Sequence, residues 1–400
     1  MRLVHLSDLH LGFRQFQRQT SAGINQREAD IASVFTSVID RIIALAPDLV
    51  CIAGDVFHSV RPSNPAILHA FAQFSRLTQA LPDTVVVIIA GNHDTPRAVE
   101  TGFILRLFLP LGIHVVDTEP RRLAFPDRDL SVLAVPGLAG ARISYDTDAS
   151  ARYNVLVLHG QHPDVRPSWA SEAEQAPLEV TTEQIGPEQW SYVAMGDHHV
   201  FKQIARNMCY SGAIEYASDN IWGEFREEVA AKLRGKGFVE FDLQKGKRTF
   251  HRIEAAREVL DLAPIQATGL TATDLDAAIR SNVDRVKGGI ADKIVRQVVR
   301  DVPRHILREL DHKALRDYRR IALHFHLDAR RPELLRTSTG ATANGRRPSL
   351  AEIVRDRLQR RTLTPDVDRQ ALITLGLQYL AEAETRELAQ SAITSEGTSS

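Results

Sequence analysis

The 400-residue sequence predicts an α/β protein whose sheets are covered on both faces. Two observations carry that expectation. Short apolar runs rich in Val, Ile and Leu alternate with segments whose apolar residues recur at helical spacing. Several of the runs stop at a cluster of Gly, Asp, Asn and His. The composition agrees: 44% hydrophobic and 25% charged is a globular balance. The length suggests two or three domains.

In chain order, Leu3 to Leu6 reads as a strand. Ile31, Val34, Phe35, Val38, Ile42 and Leu45 mark a helix that Pro47 stops. Leu49 to Ala53 is a buried-type strand, Pro65 to Leu81 a helix, and Val85 to Ala90 a third run of the strand kind. Thr101 to Leu109 reads as a helix. Strands follow at Leu130 to Ala134, Val155 to Leu158 and Tyr192 to Ala194. Gly235 to Leu243 and Lys247 to Ile253 form a hairpin about a Lys-Gly turn. A helix near Thr273 to Arg285 and a strand near Ile321 to Leu327 belong to a smaller mixed segment. Thr337 to Pro348 is a polar linker rich in Gly, Thr and Arg. Two helices follow, one striped by Leu350, Ile353, Val354 and Leu358, the other by Leu372, Ile373, Leu375, Leu377, Tyr379 and Leu380. The tail from Thr394 reads as disordered.

Composition also excludes some functions. No apolar run approaches the ~20 residues of a membrane span. The N-terminus enters a strand and polar residues at once, so no secretory signal is expected. Cys51 and Cys209 are too few for a disulfide framework or a thiolate zinc site, so a cytoplasmic location is expected. The net charge of −1 gives no global attraction to nucleic acid, so any basic surface must be local.

Five strand ends carry polar clusters: Ser7-Asp8-Leu9-His10, Gly54-Asp55-Val56-Phe57-His58, Gly91-Asn92-His93-Asp94, Leu158-His159-Gly160 and Gly196-Asp197-His198-His199. Each alone reads as a turn, a helix cap or a half-buried histidine. Together they point to one rim, since functional groups in open α/β sheets collect at the carboxyl ends of strands. Carboxylate, imidazole and amide oxygen suit Mn²⁺, Fe²⁺ or Zn²⁺. Asp8 and His10 are two apart and point the same way if extended. Asp55 has two oxygens and can bridge ions ~3.5–4 Å apart, the spacing that supplies hydroxide near neutral pH and clamps a phosphate. His93, beside Asn92, is placed to donate a proton.

DLH, AGDVFHSVRPS, GNHD, LHG and the GDHH segment, in that order, resemble the calcineurin-like metallophosphoesterases. Within them they look most like the SbcD nucleases and their archaeal and eukaryotic relatives. AGDVFHSVRPS is the most specific stretch, with a His three residues after the Asp and then Ser-x-Arg-Pro. The likeness continues through YSGAIEY and KGFVEFDL and thins after residue 265. EIVRDRL and GLQYLAEA look like the helices with which family members grip the coiled coil of an ATPase subunit.

That resemblance implies a β-sandwich flanked by helices, with a small α+β capping domain and a C-terminal helix pair. The expected divisions are a nuclease core at 1–210, core-completing strands and a capping, DNA-binding domain at 211–335, a linker at 336–348, the helix pair at 349–388 and a disordered tail at 389–400. It implies one metal on Asp8, His10, Asp55 and His199, and a second on Asp55, Asn92, His159 and the residue at 197. His93 would be the catalytic histidine, and His58 would position the scissile phosphate. The cofactor expected is a pair of divalent ions, Mn²⁺ first, with Mg²⁺, Fe²⁺ or Zn²⁺ as alternatives. One position departs from the family's Gly-His-x-His: here it is Gly196-Asp197-His198-His199. Position after Gly196 favours Asp197 as the ligand; the alternative is that His198 turns in.

The expected partners are DNA, an SbcC-like SMC-family ATPase subunit and a second copy of the chain. Between Ala291 and Arg361 there are 18 Lys and Arg against 9 Asp and Glu, a local basic span. Arg14, Arg18, Arg61 and Arg97 follow the ligand motifs and are candidates for phosphate contact. His324 and His326 alternate on one strand and are read as structural. The expected function is a two-metal DNA nuclease, exonuclease or endonuclease, acting in DNA repair. The alternatives are a metallophosphoesterase for a small phosphodiester or nucleotide, and a degraded DNA-binding scaffold.

Overall fold

The computed structural model describes residues 1–96, 103–137, 143–166, 169, 178–233, 235–332, 349–360 and 368–380. The linker expected at 336–348, the tail at 389–400 and Arg97 lie outside the described residues. The chain divides into two units, Met1–Arg331 and Pro332–Ser400.

The first unit opens with β1 (Arg2–Leu6), α1 (Gln26–Leu45), β2 (Leu49–Ala53), α2 (Asn64–Ala80), β3 (Val85–Ile89) and β4 (His114–Val116). These strands run parallel, β1 to β4 in order. The sheet is completed by a late hairpin, β11 (Gly237–Asp242) and β12 (Lys247–Arg252), whose β11 pairs antiparallel with β1. A second six-stranded sheet holds β5 (Arg121–Phe125), β6 (Leu130–Val135), β7 (Tyr153–His159) and β8 (Tyr192–Gly196), then β10 (Met208–Tyr210) and β9 (Lys202–Ala205). The single turn α3 (Thr182–Ile185) precedes β8, and α4 (Ile221–Ala230) precedes β11.

The two sheets pack face to face. Leu3, Cys51, Ala53, Val87 and Phe241 from one interleave with Ala134, Val157, Tyr192 and Ala194 from the other. The opposite face of the first sheet, with Val4, Leu6, Val50 and Ile52, is covered by Ile31, Phe35 and Phe74 of α1 and α2. The opposite face of the second, with Leu156, Leu158 and Met195, meets Ile185 and Trp190. Both faces of the central strands are therefore dry, which is why they read as unbroken apolar runs rather than alternating ones.

A third sheet is small and parallel: β13 (Val259–Gln266), β14 (Ile294–Arg300) and β15 (His324–Ala329). It packs on α5 (Ala272–Asp284), α6 (Arg304–Glu309) and α7 (His312–Ile321) through Leu275, Ile279, Val295, Ile306 and Leu315. The strand expected from Ile321 starts later, at His324, because Ile321 closes α7. The helix expected over Thr101 to Leu109 is a 3₁₀ stretch, Ile104–Leu111, with Pro110 inside it. Proline lacks the N–H that an α-helical interior requires.

The second unit contains α8 (Leu350–Arg360) and a helix over 369–380. They meet closely at Gly376: a Cβ there would lie 2.9 Å from Leu358 Cδ1. Arg369 donates to the carbonyls of Leu358 and Gln359 at 2.9 and 2.7 Å, satisfying carbonyls that the end of α8 leaves free. Among the described residues, no helix is long and apolar enough to cross a membrane.

Candidate metal centre

Two strand-end loops are zipped together by their backbones. Asp8 N–H donates to Gly54 O at 3.0 Å, His10 N–H to Asp55 O at 3.0 Å, and His58 N–H to Leu11 O at 3.0 Å. The segment after β1 is not extended, contrary to the expectation for Asp8 and His10. Asp8, His10 and Asp55 all have left-handed backbone, with φ of 53°, 45° and 51°. Asp197 stands at φ 105°. Non-glycine residues rarely hold such angles, and strain of this kind gathers where function demands a geometry. Asp8 and His10 thus share the site through two tight left-handed bends, not through strand periodicity.

Glycine makes the room. A Cβ on Gly54 would sit 2.2 Å from His159 Nδ1, and one on Gly91 would sit 2.0 Å from Asp55 Oδ1. Neither position can take a side chain without displacing a site residue.

Asp55 lies at the centre. Its Oδ2 is 3.8 Å from His10 Nε2 and 3.5 Å from His159 Nε2, and its Oδ1 accepts the His93 N–H at 2.9 Å. Asp8 accepts from Ser7 Oγ and from the Asp197 N–H at 3.1 Å. Two groups of possible ligand atoms converge here: Asp8, His10 and His199, and Asp8, Asp55 and His159. A third group, His10, His58 and His93, adjoins them. Asp8, His10, Asp55, His159 and His199 are all buried.

The chemistry of these donors fits divalent cations. His159 Nδ1–H donates to Ala53 O at 2.8 Å, which leaves the Nε2 lone pair facing the other ligands. That nitrogen looks at Asn92 Oδ1 at 2.9 Å, Asp55 Oδ2 at 3.5 Å and Asp197 Oδ1 at 3.8 Å. A lone pair surrounded by oxygens calls for positive charge between them, as a proton or a cation. Burial pushes the His159 imidazole down, but Asp55, Asp8 and Asp197 outweigh it and hold its pKa at about 9. His10 Nε2 and His199 Nε2 lie only 3.0 Å apart, a second such meeting. Burial, then His199, His93 and His58, keeps His10 well below the usual imidazole range. Burial raises the Asp8 carboxyl. Oxygen and imidazole donors without thiolate suit a hard or borderline metal.

Sequence leaves open whether Asp197 or His198 turns in. Asp197 faces His159, whereas His198 Nε2 lies 2.9 Å from Glu227 Oε1 and its ring packs edge-on to Tyr210. His93 Nδ1–H donates to the His58 carbonyl at 2.8 Å, and its ring stacks on His58 with centroids 5.1 Å apart. All nine expected site residues therefore lie in one connected cluster. The candidate phosphate arginines divide: Arg14 is paired with Glu28 at 2.7 Å, Arg18 donates to Ala322 O at 3.1 Å, and Arg61 is exposed.

Supporting residues escape the sequence reading. Asp94 accepts from the N–H groups of Val56, Phe57 and Gly91 and so ties two ligand loops. The GNHD motif contains it, so a signal existed. Glu224 of α4 faces His199 Nδ1 at 3.8 Å and pairs with buried Lys236, which donates to His199 O at 2.9 Å. Burial would raise the Glu224 carboxyl, but Lys236 and His199 hold it at about 2. Nothing local in the sequence marks this pair. Such outer partners fix the orientation of ligand imidazoles.

Residues 1–188 match the family model of the calcineurin-like phosphoesterase. The chain is 26% identical over 264 residues to the DNA double-strand break repair protein Mre11 of Methanocaldococcus jannaschii, covering 60% of this chain and 62% of that protein. The protein of the same name from Haloferax volcanii is 27% identical over 300 residues, 72% of this chain and 57% of that one. The SbcD component of the SbcCD nuclease of Rhodobacter capsulatus is 30% identical over 141 residues, 35% of this chain and 32% of that one. The chain thus spans less than two thirds of the length of each of these three relatives.

Proposed function

We propose, from the match of residues 1–188 to the calcineurin-like phosphoesterase family model, that the chain is a two-metal DNA nuclease of the SbcD and Mre11 kind, acting in DNA repair. The observation that supports this reading is the convergence of five strand ends on one cluster, with the Asp55 carboxylate at its middle. Asp8, His10, Asp55 and His199 would hold one divalent ion, and Asp55, Asn92, His159 and Asp197 the other, with Mn²⁺ the first choice. Held there, such a pair would supply hydroxide near neutral pH and offset the charge of the phosphate.

The chain's own residues supply the rest. The His58 carbonyl takes the Nδ1–H of His93 and so orients the ring; in its imidazolium form the ring would pass the Nε2–H to the departing oxygen and be left neutral, with the proton on Nδ1. His58, stacked on His93, fixes that ring and positions the phosphate. The test is purified protein with Mn²⁺ against linear DNA and against bis-p-nitrophenyl phosphate. Digestion of DNA is expected. Dye release with intact DNA would instead indicate a small-phosphodiester enzyme, and neither reaction would indicate a scaffold.

An SbcC-like ATPase and a second copy are the proposed protein partners. Leu350, Ile353, Leu375 and Tyr379 are exposed on the helix pair, and Leu68 and Phe71 on α2. Apolar faces of that extent suit a partner surface. Deleting Leu350 to Ser400 is expected to spare Mn²⁺-dependent cleavage and abolish co-purification with the ATPase; retained co-purification would exclude the helix pair as its grip. Light scattering of the full chain reads the dimer, and a 44.5 kDa monomer would remove it.

A further inference from the structure

Outside the metal centre the structure holds a cleft of about 880 Å³ between the segment Phe16–Arg18 and strand β15. Three rings form a column in it. Phe16 stacks on His324 with centroids 4.0 Å apart and planes 11° from parallel. His324 is followed by His326, 6.0 Å on and tilted 13°. The two histidines share a face of β15 because they are two residues apart on a strand. His326 is exposed, so the outer end of the column is open.

Phe16 is held there at a cost. Its φ is 61°, the left-handed region, which a bulky aromatic residue enters only when its surroundings demand it. Asn25 Nδ2 donates to the Phe16 carbonyl at 3.0 Å and fixes this bend. Arg18 crosses the cleft floor and donates to Ala322 O and to Asp292. Burial, and then His326 and Arg319, lowers the His324 pKa to about 4, so this ring is a neutral aromatic near pH 7.

Cations line the same cleft. Arg319 and Arg320 stand exposed in the last turn of α7. Arg320 is paired with Asp317 at 3.2 Å, while the Arg319 side chain has no hydrogen bond or ion pair among the described residues. An aromatic column with an open end, beside one unpaired guanidinium group and a second paired only with an acid of its own helix, matches one ligand chemistry: a flat base on a phosphate chain.

The geometry points to a site for unpaired nucleic acid, in which a base stacks on the outer face of His326 and flanking phosphates meet Arg319 and Arg320. The site adjoins the metal centre along the chain. Phe13 packs edge-on to His58 with centroids 4.8 Å apart. Three residues later comes Phe16, no more than about 11 Å away from Cα to Cα. A strand end opened at the metal centre is therefore within reach of the column. The inference takes its class of ligand from the nuclease reading, but binding can be read without cleavage.

The test is fluorescence anisotropy of the full chain in EDTA, with a short labelled oligothymidylate and its abasic counterpart. His326→Ala is expected to weaken oligothymidylate binding about tenfold and to leave the abasic chain unaffected, whereas His326→Phe, which keeps a ring, retains the wild-type affinity. Arg319→Ala is expected to weaken both probes and to reduce the salt slope by about one. His326→Ala binding oligothymidylate like the wild type, losing both probes equally, or behaving no differently from His326→Phe would each overturn the column. If the wild-type chain binds neither probe nor duplex DNA, the nucleic-acid reading itself falls.

Discussion

Histidine does different work at the metal centre and in the cleft beside β15. At the centre, the rings are fixed by hydrogen bonds so that lone pairs meet carboxylates, as His159 does between Ala53 O and Asp55. In the cleft, His324 and His326 present flat faces, with Phe16 beneath and arginines around them. The difference lies in the neighbours. Carboxylates converge on the first group, and guanidinium groups accompany the second. A histidine count therefore says little until the sign of the surrounding charge is known.

That contrast can be broken most severely at its centre. Asp55→Asn is expected to lower kcat on DNA by about a thousandfold, the equivalent of several kcal/mol of metal stabilisation, and to lower bound metal measured by plasma emission. His93→Ala is expected to lose about 10²–10⁴-fold in kcat while metal content holds, as for a proton donor that binds no ion. Equal metal loss in both variants would move His93 among the ligands.

A smaller effect separates neighbours at one strand end. Asp197→Ala is expected to weaken metal binding by at least about tenfold, the lower bound that even an outer partner of a ligand sets. His198→Ala is expected to keep its metal, since His198 faces Glu227. The reverse pattern would mean that His198 swings into the centre on metal binding and that the carboxylate is incidental.

The centre is legible because its chemistry is written in short local motifs, each fixed to the end of an apolar run. The reason for the shared placement of Asp8 and His10 escapes the sequence, because periodicity cannot show two left-handed bends so close together. Glu224 and Lys236 are illegible because they reach His199 from α4 and from the residue before β11, with no motif of their own. The cleft is illegible for a related reason. Phe16 and His324 come from distant parts of the chain, and the alternation of His324 with His326 reads equally well as an ordinary strand face. The third sheet is legible only in part, because β13 and β14 carry Asp, Arg and Gln among their apolar residues. Its parallel pairing depends on contacts far apart in sequence.

The mildest test concerns a histidine that belongs to neither group. His5, on β1, is buried between the two large sheets; its Nδ1 lies 3.0 Å from Tyr192 Oη, and its Nε2 makes no well-formed hydrogen bond among the described residues. Burial, opposed only in part by the Met195 backbone, pushes its pKa from 6.5 to about 3, so it is neutral in the folded chain. Between those two values the unfolded chain binds the extra proton and the folded chain does not. Stability from this residue is therefore complete above pH 6.5 and declines as pH falls toward 3. His5→Leu removes the titration and the unpaired nitrogen, and Tyr192 Oη keeps Cys209 Sγ at 3.1 Å. At pH 7 the variant is expected to unfold in urea within about 1 kcal/mol of the wild type, because a lost hydrogen bond is offset by a removed orphan. At pH 4 it is expected to be the more stable of the two. Parallel pH dependences for the two proteins would show that His5 is already protonated in the fold, with a counter-charge that makes it one more member of the polar network rather than a neutral ring in the core.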